Sequence, residues 1–355
     1  MLSTPSIHFL FIVFLGILSL VVLFIVMVLF YSFLQYQKSL RASVWLKIIN
    51  QKISETIVYD EKEVLSDADF YKFSKIPSFR NLFLQKLIDS EKKFSGTAKD
   101  KIKDLFRQYD LHHEAKKKLY QKKAYLIAGG IEELTVMDSK EDATKISTFL
   151  SHPSSQVYQE AQYAMVSLKG FEGLDFLNTA KHTISEWQQL RLLLSITSIP
   201  ENSEEKIKDW LQSKNDSVII FTLKLLRKFQ LLYFYSATMD LMEHPSDEVR
   251  IQAVQTLLSL ENPATIDSFI EKYPDQPVEV QSEILKAVKA SKDRISTDLL
   301  KKELMDNSVP GIKVVAAEGL IALGHQEYLV QLAQDDSSSE ELIQIIKHAL
   351  LEKVW

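Results

Sequence analysis

The chain has 355 residues, enough for about two ordinary domains, and 46% of them are hydrophobic, enough to build a substantial core. It contains no cysteine, which excludes disulfides, thiol nucleophiles and thiolate metal sites. Of its 42 Lys and Arg, 20 lie in residues 1–125 with 12 of the 47 Asp and Glu, while the remainder holds 22 against 35, so a basic part precedes a longer acidic one. With a net charge of −5 and no recognised nucleic-acid motif beside the lysines, nucleic acid is excluded as a partner.

Residues 7–34 form an unbroken apolar run without Asp, Glu, Lys or Arg. About 20 such residues in a helix cross a bilayer. The first six residues carry no charged side chain and no small-x-small cleavage site follows the run, so it reads as a retained anchor and not a cleaved signal. Lys38, Arg41, Lys47 and Lys52 follow it, and the positive-inside bias puts the N-terminus outside and the rest of the chain in the cytoplasm. Lys38, Arg41 and Lys47 are candidate contacts to the membrane surface, where each basic group contributes about 1 kcal/mol on an anionic leaflet.

Residues 39–58 read as a helix that either continues the membrane helix or lies along the interface. The acidic stretch 60–69 reads as a connector, and Asp67-Ala68-Asp69 within it as the cap of the next helix, although it resembles the acid pair of some glycosyltransferases. Phe70, Tyr71, Phe73, Ile76 and Phe79 form an aromatic-rich patch that is expected to be buried. Helices are predicted over residues 80–93, 98–109 and 114–136. The adjoining Lys116, Lys117 and Lys118 are further candidates for lipid head groups. The expected organisation is an anchor over 1–36, a basic helical juxtamembrane and cap region over 37–125, and a repeat region over 126–355.

In the repeat region an apolar residue is followed by apolar or small residues four, eight and eleven places on. The pattern returns about every 31 residues, a period typical of stacked helical units. Val249, Ala253, Leu257 and Leu260 are the clearest copy, matched by Val157, Ala161, Met165 and Leu168, by Val218, Thr222, Leu226 and Phe229, and by Ile312, Ala316, Leu320 and Leu323. These offsets keep one helix face apolar. The third copy is irregular: Leu190 and Leu194 fit a start at Glu186, whereas the upstream turn fits Trp187. A shorter helix is expected between successive copies. Such pairs bury their faces only by stacking. The fold class is therefore all-α, a single membrane helix followed by an α-α superhelix.

Residues 244–260, with Asp247, the pair Val249-Arg250 and the Ala and Leu spacing after it, resemble a HEAT repeat, and the short period is similar to the phycobilisome-lyase-type variant. The resemblance implies protein interaction and no lyase activity. Membrane-bound HEAT-like proteins of bacteria accompany envelope polysaccharide machinery, so it also implies a membrane-complex subunit, such as a glycosyltransferase, as partner.

Chemistry is harder to find. His152, His182 and His244 occupy a position that other copies fill with Ser, Asp or Asn, as a turn or capping site does. His112-His113-Glu114 lacks metal-ligand spacing. Gly129-Gly130 belongs to no phosphate loop and suits close helix packing or a kink instead. Trp187, Trp210 and Tyr163 are expected in the core. In the bulky run 231–235, Tyr233, Phe234 and Tyr235 are candidate partner contacts, because five successive large residues cannot share one helix face. No catalytic residue, cofactor or metal is expected. The reading is a membrane-anchored scaffold holding a protein partner at the cytoplasmic face of a bacterial inner membrane. The alternatives are a lyase- or chaperone-like accessory factor and a lipid-responsive peripheral module.

Overall fold

The computed structural model describes residues 7–58, 68–335 and 337–351, with side chains from residue 11 onward and, after the gap, from residue 70. Asp67 and the acidic connector of residues 60–66 lie outside these. The fold is all-α: nineteen α-helices and no strand occur among the described residues. Two compact units divide the chain, Met1–Ala164 and Met165–Trp355.

Unit 1 begins with α1 (Ile7–Val58), one uninterrupted helix of 52 residues and about 78 Å. Its apolar half has no buried side chain in the most hydropathic window, as expected of a helix meant for lipid. Of the two courses open to residues 39–58, continuation of the apolar helix is the one adopted. Ile49 and Ile53 in this distal part are buried, under α2 (Ala68–Phe73), α3 (Pro77–Glu91) and α4 (Thr97–Gln108). Phe70, Phe79 and Phe83 fill the space between them, with Phe70 edge-on to both other rings at centroid distances of 5.4 and 5.2 Å. Edge-to-face pairs of this kind contribute about 0.5–1.5 kcal/mol beyond area burial. The apolar run and the aromatic core of unit 1 thus share one helix with no linker between them.

The single helix expected over 114–136 is two, α5 (His112–Leu119) and α6 (Ala124–Val136). The break lets them pack on each other, and Gly130 is where they touch: a Cβ there would stand 2.8 Å from Lys118 Cβ and 2.9 Å from the Ala115 carbonyl oxygen. Nothing lies within 4 Å of a Cβ at Gly129. Gly129→Ala should therefore raise stability by about 0.5–1 kcal/mol through helix propensity. Gly130→Ala should lower it by about 1–3 kcal/mol through overpacking. Denaturation of the two single variants checks this opposition, and equal shifts would refute it. α7 (Ala143–Ser147) and the first part of α8 (Ser155–Lys169) complete the unit.

In unit 2 the repeated helices are α9 (Glu186–Ser195), α11 (Asp216–Phe229), α13 (Asp247–Ser259), α15 (Val278–Ser291), α17 (Pro310–Ala322) and α19 (Glu340–Leu351). The interleaved ones are α10 (Glu204–Leu211), α12 (Tyr235–Asp240), α14 (Thr265–Lys272), α16 (Thr297–Asp306) and α18 (Gln326–Gln334). Each repeated helix packs on the next, and α10, α12, α14, α16 and α18 each pack against the repeated helix that follows, so the unit is a two-layer helical solenoid. Val249, Ala253, Leu257 and Leu260 are buried, as are Val280, Ile284 and Val288 at equivalent places in α15. The segment expected as a helix over 171–181 is instead a 3-10 run, Gly170–Thr179. Gly173 sits there where a Cβ would be 2.2 Å from the Met165 carbonyl oxygen.

The turns between repeats share one hydrogen bond. His152 Nδ1 accepts from the Ser154 amide and His244 Nδ1 from the Ser246 amide, both at 3.1 Å. Ser213 Oγ accepts from the Asn215 amide at 3.2 Å, and Asn307 Oδ1 from the Val309 amide at 2.8 Å. Different side chains perform the same turn-closing task, which is why the position tolerates His, Ser and Asn alike.

Candidate functional site

The third repeated helix departs from its siblings. Gln188, Gln189 and Leu192 of α9 are buried, together with Ile196 after it. The face opposite carries Trp187, Leu190 and Leu194, exposed by 69, 46 and 72%. Trp187 is therefore not a core residue, and the start at Glu186 that placed Leu190 and Leu194 inside is off by two. The positions of this copy are Gln188, Leu192 and Ile196, with Gln188 two residues into its helix as Val218 and Val249 are in theirs. Ser185 caps the helix by accepting from the Gln188 amide at 3.3 Å. The buried Gln189 amide is satisfied, donating to the Ile184 carbonyl at 2.9 Å and accepting from Lys224 at 2.8 Å. A polar residue can hold the inner position at low cost because its hydrogen bonds are made.

Spacing of three and seven residues lines the indole and two isobutyl groups along one helix face. Lys224 and Lys228 reach across from α11. Lys224 meets the neutral Gln189 amide, and Lys228 donates to the carbonyls of Leu193 and Ile196 at 2.5 and 2.6 Å, at the negative end of the α9 dipole. No carboxylate pairs with either ammonium among the described residues. The outward face of α9 is an apolar ridge, and the two lysines tie its inner side and its C-terminal end to α11.

The aromatic run offers a second, smaller surface. Tyr233 is 65% exposed beside Leu232, with Lys208 Nζ 5.2 Å from its ring centroid, whereas Phe234 is only 4% exposed and Tyr235 is half-buried with its hydroxyl 3.1 Å from Thr265 Oγ1. Solvent reaches Tyr233 and Leu232 far more than the other aromatic pair. At the end of the 3-10 run, Leu177, Asn178, Asp209, Trp210, Ser213 and Asn215 line a shallow cavity of about 630 Å³.

The candidate lipid contacts fall into two groups. Lys38, Arg41 and Lys47 are exposed on α1. Lys116, Lys117 and Lys118 are engaged within unit 1: Lys116 with the buried Asp142 at 2.7 Å, Lys117 with Glu114 at 3.1 Å, and Lys118 with Glu133. The hydrogen bond to Asp142 raises the Lys116 ammonium above its ordinary range. Burial pushes the Glu133 carboxyl up, although Lys118 opposes this.

Glu114 is not grouped with the two histidines before it. Asp110 takes that place, in the left-handed region at φ 51°. Its carboxylate oxygens lie 2.5 Å from His112 Nδ1 and 3.0 Å from His113 Nδ1, and the three donor atoms all sit within 4.8 Å of one another. Spacing alone does not disclose this trio, because it depends on the backbone reversal at a non-glycine residue. Each imidazole is already engaged by one oxygen, which closes the loop ahead of α5.

No protein-family model matches the chain, and no curated protein does. Solved structures do. One is an engineered protein, 15% identical over 84% of this chain and 87% of that one, with a TM-score of 0.35. Another is the complex of CpcE and CpcF of phycocyanin lyase from Nostoc sp. PCC7120, 12% identical over 84% and 97%, with a TM-score of 0.25. A second engineered protein is 13% identical over 68% and 95%, with a TM-score of 0.22. At these TM-scores none of the three carries an argument about the chain. The chain is an all-α, multi-helix solenoid, with one N-terminal helix long and apolar enough to cross a membrane.

Proposed function

We propose that the protein is a membrane-anchored scaffold whose solenoid holds a protein partner at the cytoplasmic face of a bacterial membrane. The observation that carries this reading is the Trp187–Leu190–Leu194 ridge: a solenoid helix that turns its apolar side outward has no use for it within its own core. The occupant is an amphipathic helix of a membrane-complex subunit, its apolar side on the ridge. A membrane glycosyltransferase of an envelope polysaccharide complex is the partner class that the resemblance to membrane-bound HEAT-like proteins suggests. Confinement to the membrane plane raises the effective concentration of such a subunit and makes a modest intrinsic affinity sufficient.

Trp187→Glu and Leu194→Glu should leave helix content and thermal stability unchanged and weaken the complex about 30-fold each, the size of a hot spot of about 2 kcal/mol. Affinity capture of the full chain from detergent-solubilised membranes, quantified against the wild type, checks this. Retention of the same membrane-complex subunit by both variants would refute the ridge as its site. A second reading, a lyase- or chaperone-like accessory factor, draws on the converging polar groups of the cavity beside Trp210. Asp209→Asn in the same capture separates the two, since only the second reading gives it an effect.

A further inference from the structure

The path of the chain through unit 1 fixes which of its ends lies nearest the apolar run. Along α1, Lys52 Nζ lies 5.9 Å from the Phe70 ring centroid, and Trp45 lies 6.2 Å from Phe73. α2 therefore runs antiparallel to α1, toward residue 34. α3 then returns: Phe79 meets Trp45 at 5.8 Å, Phe83 meets Phe70 at 5.2 Å, and beyond it in α4 Lys101 donates to the Ile57 carbonyl at 3.3 Å. The turn of residues 74–76 is the tip of the unit facing the anchor.

That tip is built and not frayed. The Ser74 amide donates to the Phe70 carbonyl and the Ile76 amide to that of Phe73, both at 2.8 Å, while Ser74 Oγ donates to Tyr71 O at 2.8 Å. Arg80 holds it from behind. What it shows to solvent is Tyr71, Lys72, Lys75 and Ile76. Lys75 Nζ lies 4.5 Å from the Tyr71 ring centroid, and neither Lys72 nor Lys75 meets a carboxylate among the described residues.

Its height matches a headgroup layer. Trp45 stands about 16 Å beyond Leu34 along the helix axis, and the tip lies on the membrane side of Trp45. The apolar run 7–34 is about 42 Å long against a hydrocarbon core of about 30 Å, so the helix must tilt, and tilt lowers one flank of a rigidly attached unit. A tyrosine, an isoleucine and exposed lysines are the composition expected where protein meets headgroups.

We infer that residues 71–76, with Lys38 and Arg41 on α1, form a foot that binds anionic lipid headgroups. Lys72, Lys75, Lys38 and Arg41 take the phosphates and carboxylates, and Tyr71 and Ile76 enter the interface. An acidic protein surface would suit the cations but has no use for the position of the tip at the anchor end. The foot rests on the reading that α1 crosses the bilayer, and it sets the tilt of unit 1 on the membrane.

The absence of cysteine makes a direct test available. Three single variants of the full chain, Leu23→Cys, Ser78→Cys and Ser95→Cys, carry a fluorophore in nanodiscs of phosphatidylcholine alone or of phosphatidylcholine with one third phosphatidylserine. Nitroxides on the acyl chain or on the headgroup report depth. The expected result is acyl-chain quenching at position 23, headgroup quenching at 78 that is at least doubled by phosphatidylserine, and none at 95. Adding Lys72→Glu and Lys75→Glu should return quenching at 78 to the level without phosphatidylserine. Quenching at 23 without any at 78, or at 78 regardless of lipid charge and of the lysine substitutions, overturns the foot and leaves the anchor standing. No quenching at 23 removes the anchor itself, and the foot with it.

Discussion

Trp210→Ala should cost unit 2 about 3–5 kcal/mol, the loss expected for truncating a fully buried large aromatic. The indole has no solvent exposure to speak of and binds two parts of the 3-10 run at once. Its Nε1 donates to Asn178 Oδ1 at 2.6 Å, and its ring lies 5.4 Å from Phe171. That run stands where a second helix of the repeat is expected, so α10 secures it through side chains in place of helix pairing. Trp210→Phe keeps most of the volume and loses the hydrogen bond. Asn178 is exposed and water can replace its partner, so this change should cost only about 1 kcal/mol. Chemical denaturation together with amide exchange over residues 170–179 distinguishes the cases. Rapid exchange confined to that run in Trp210→Ala, with the later repeats still protected, is expected of a stack whose units are stabilised by neighbours. Unchanged protection there would show that the run is held by something else.

The repeats are legible in the sequence because their signal is redundant. Val218, Val249, Val280 and Ile312 are all buried, and an error at any one of them is corrected by the period. The α9 copy shows the limit of the same logic. Apolar residues are expected inward, and Leu190 and Leu194 fit that expectation, whereas the helix takes its register from Gln188 and buries Gln189 beside it. Only tertiary partners, the Ile184 carbonyl and the Lys224 ammonium, make that burial tolerable. The lysine run 116–118 reads as a solvated or lipid-facing patch, because the carboxylates that engage Lys116 and Lys118, Asp142 and Glu133, come from later elements of the chain. Tyr71 and Ile76 group by sequence with the buried aromatics around them, and which members of that patch face out depends on the direction of α2 along α1. In each case the pattern along the chain is real, and what it lacks is which distant group stands opposite.

Arg80 is the other side chain whose loss should be severe, and it also carries a pH signature. Its guanidinium uses its fork on four acceptors: Glu114 Oε1 at 2.9 Å, the Tyr109 carbonyl at 3.0 Å, the Asp110 carbonyl at 2.7 Å and, more weakly, the Ser74 carbonyl at 3.4 Å. It thereby joins the tip of unit 1, the reversal at Asp110 and the start of α5. Arg80→Met removes the chief partner of a carboxylate that is only 6% exposed, and a loss of about 3 kcal/mol is expected, the lower end for a broken buried pair because Lys117 remains. Burial alone would raise the Glu114 carboxyl, but the hydrogen bonds from Arg80 and Lys117 outweigh it and hold the group below the ordinary carboxylate range. Its folded value thus lies below its unfolded one, so its contribution is fully present near neutral pH and is lost as pH falls through the folded value. In Arg80→Met burial has less to oppose it, the carboxyl moves up, and protonation on acidification relieves a poorly compensated charge. The stability gap between wild type and variant should therefore narrow as pH drops from 7 toward 4. Denaturation of both proteins at these two pH values measures it, and a gap that stays constant would mean that Arg80 acts through the carbonyls of the loop and not through Glu114.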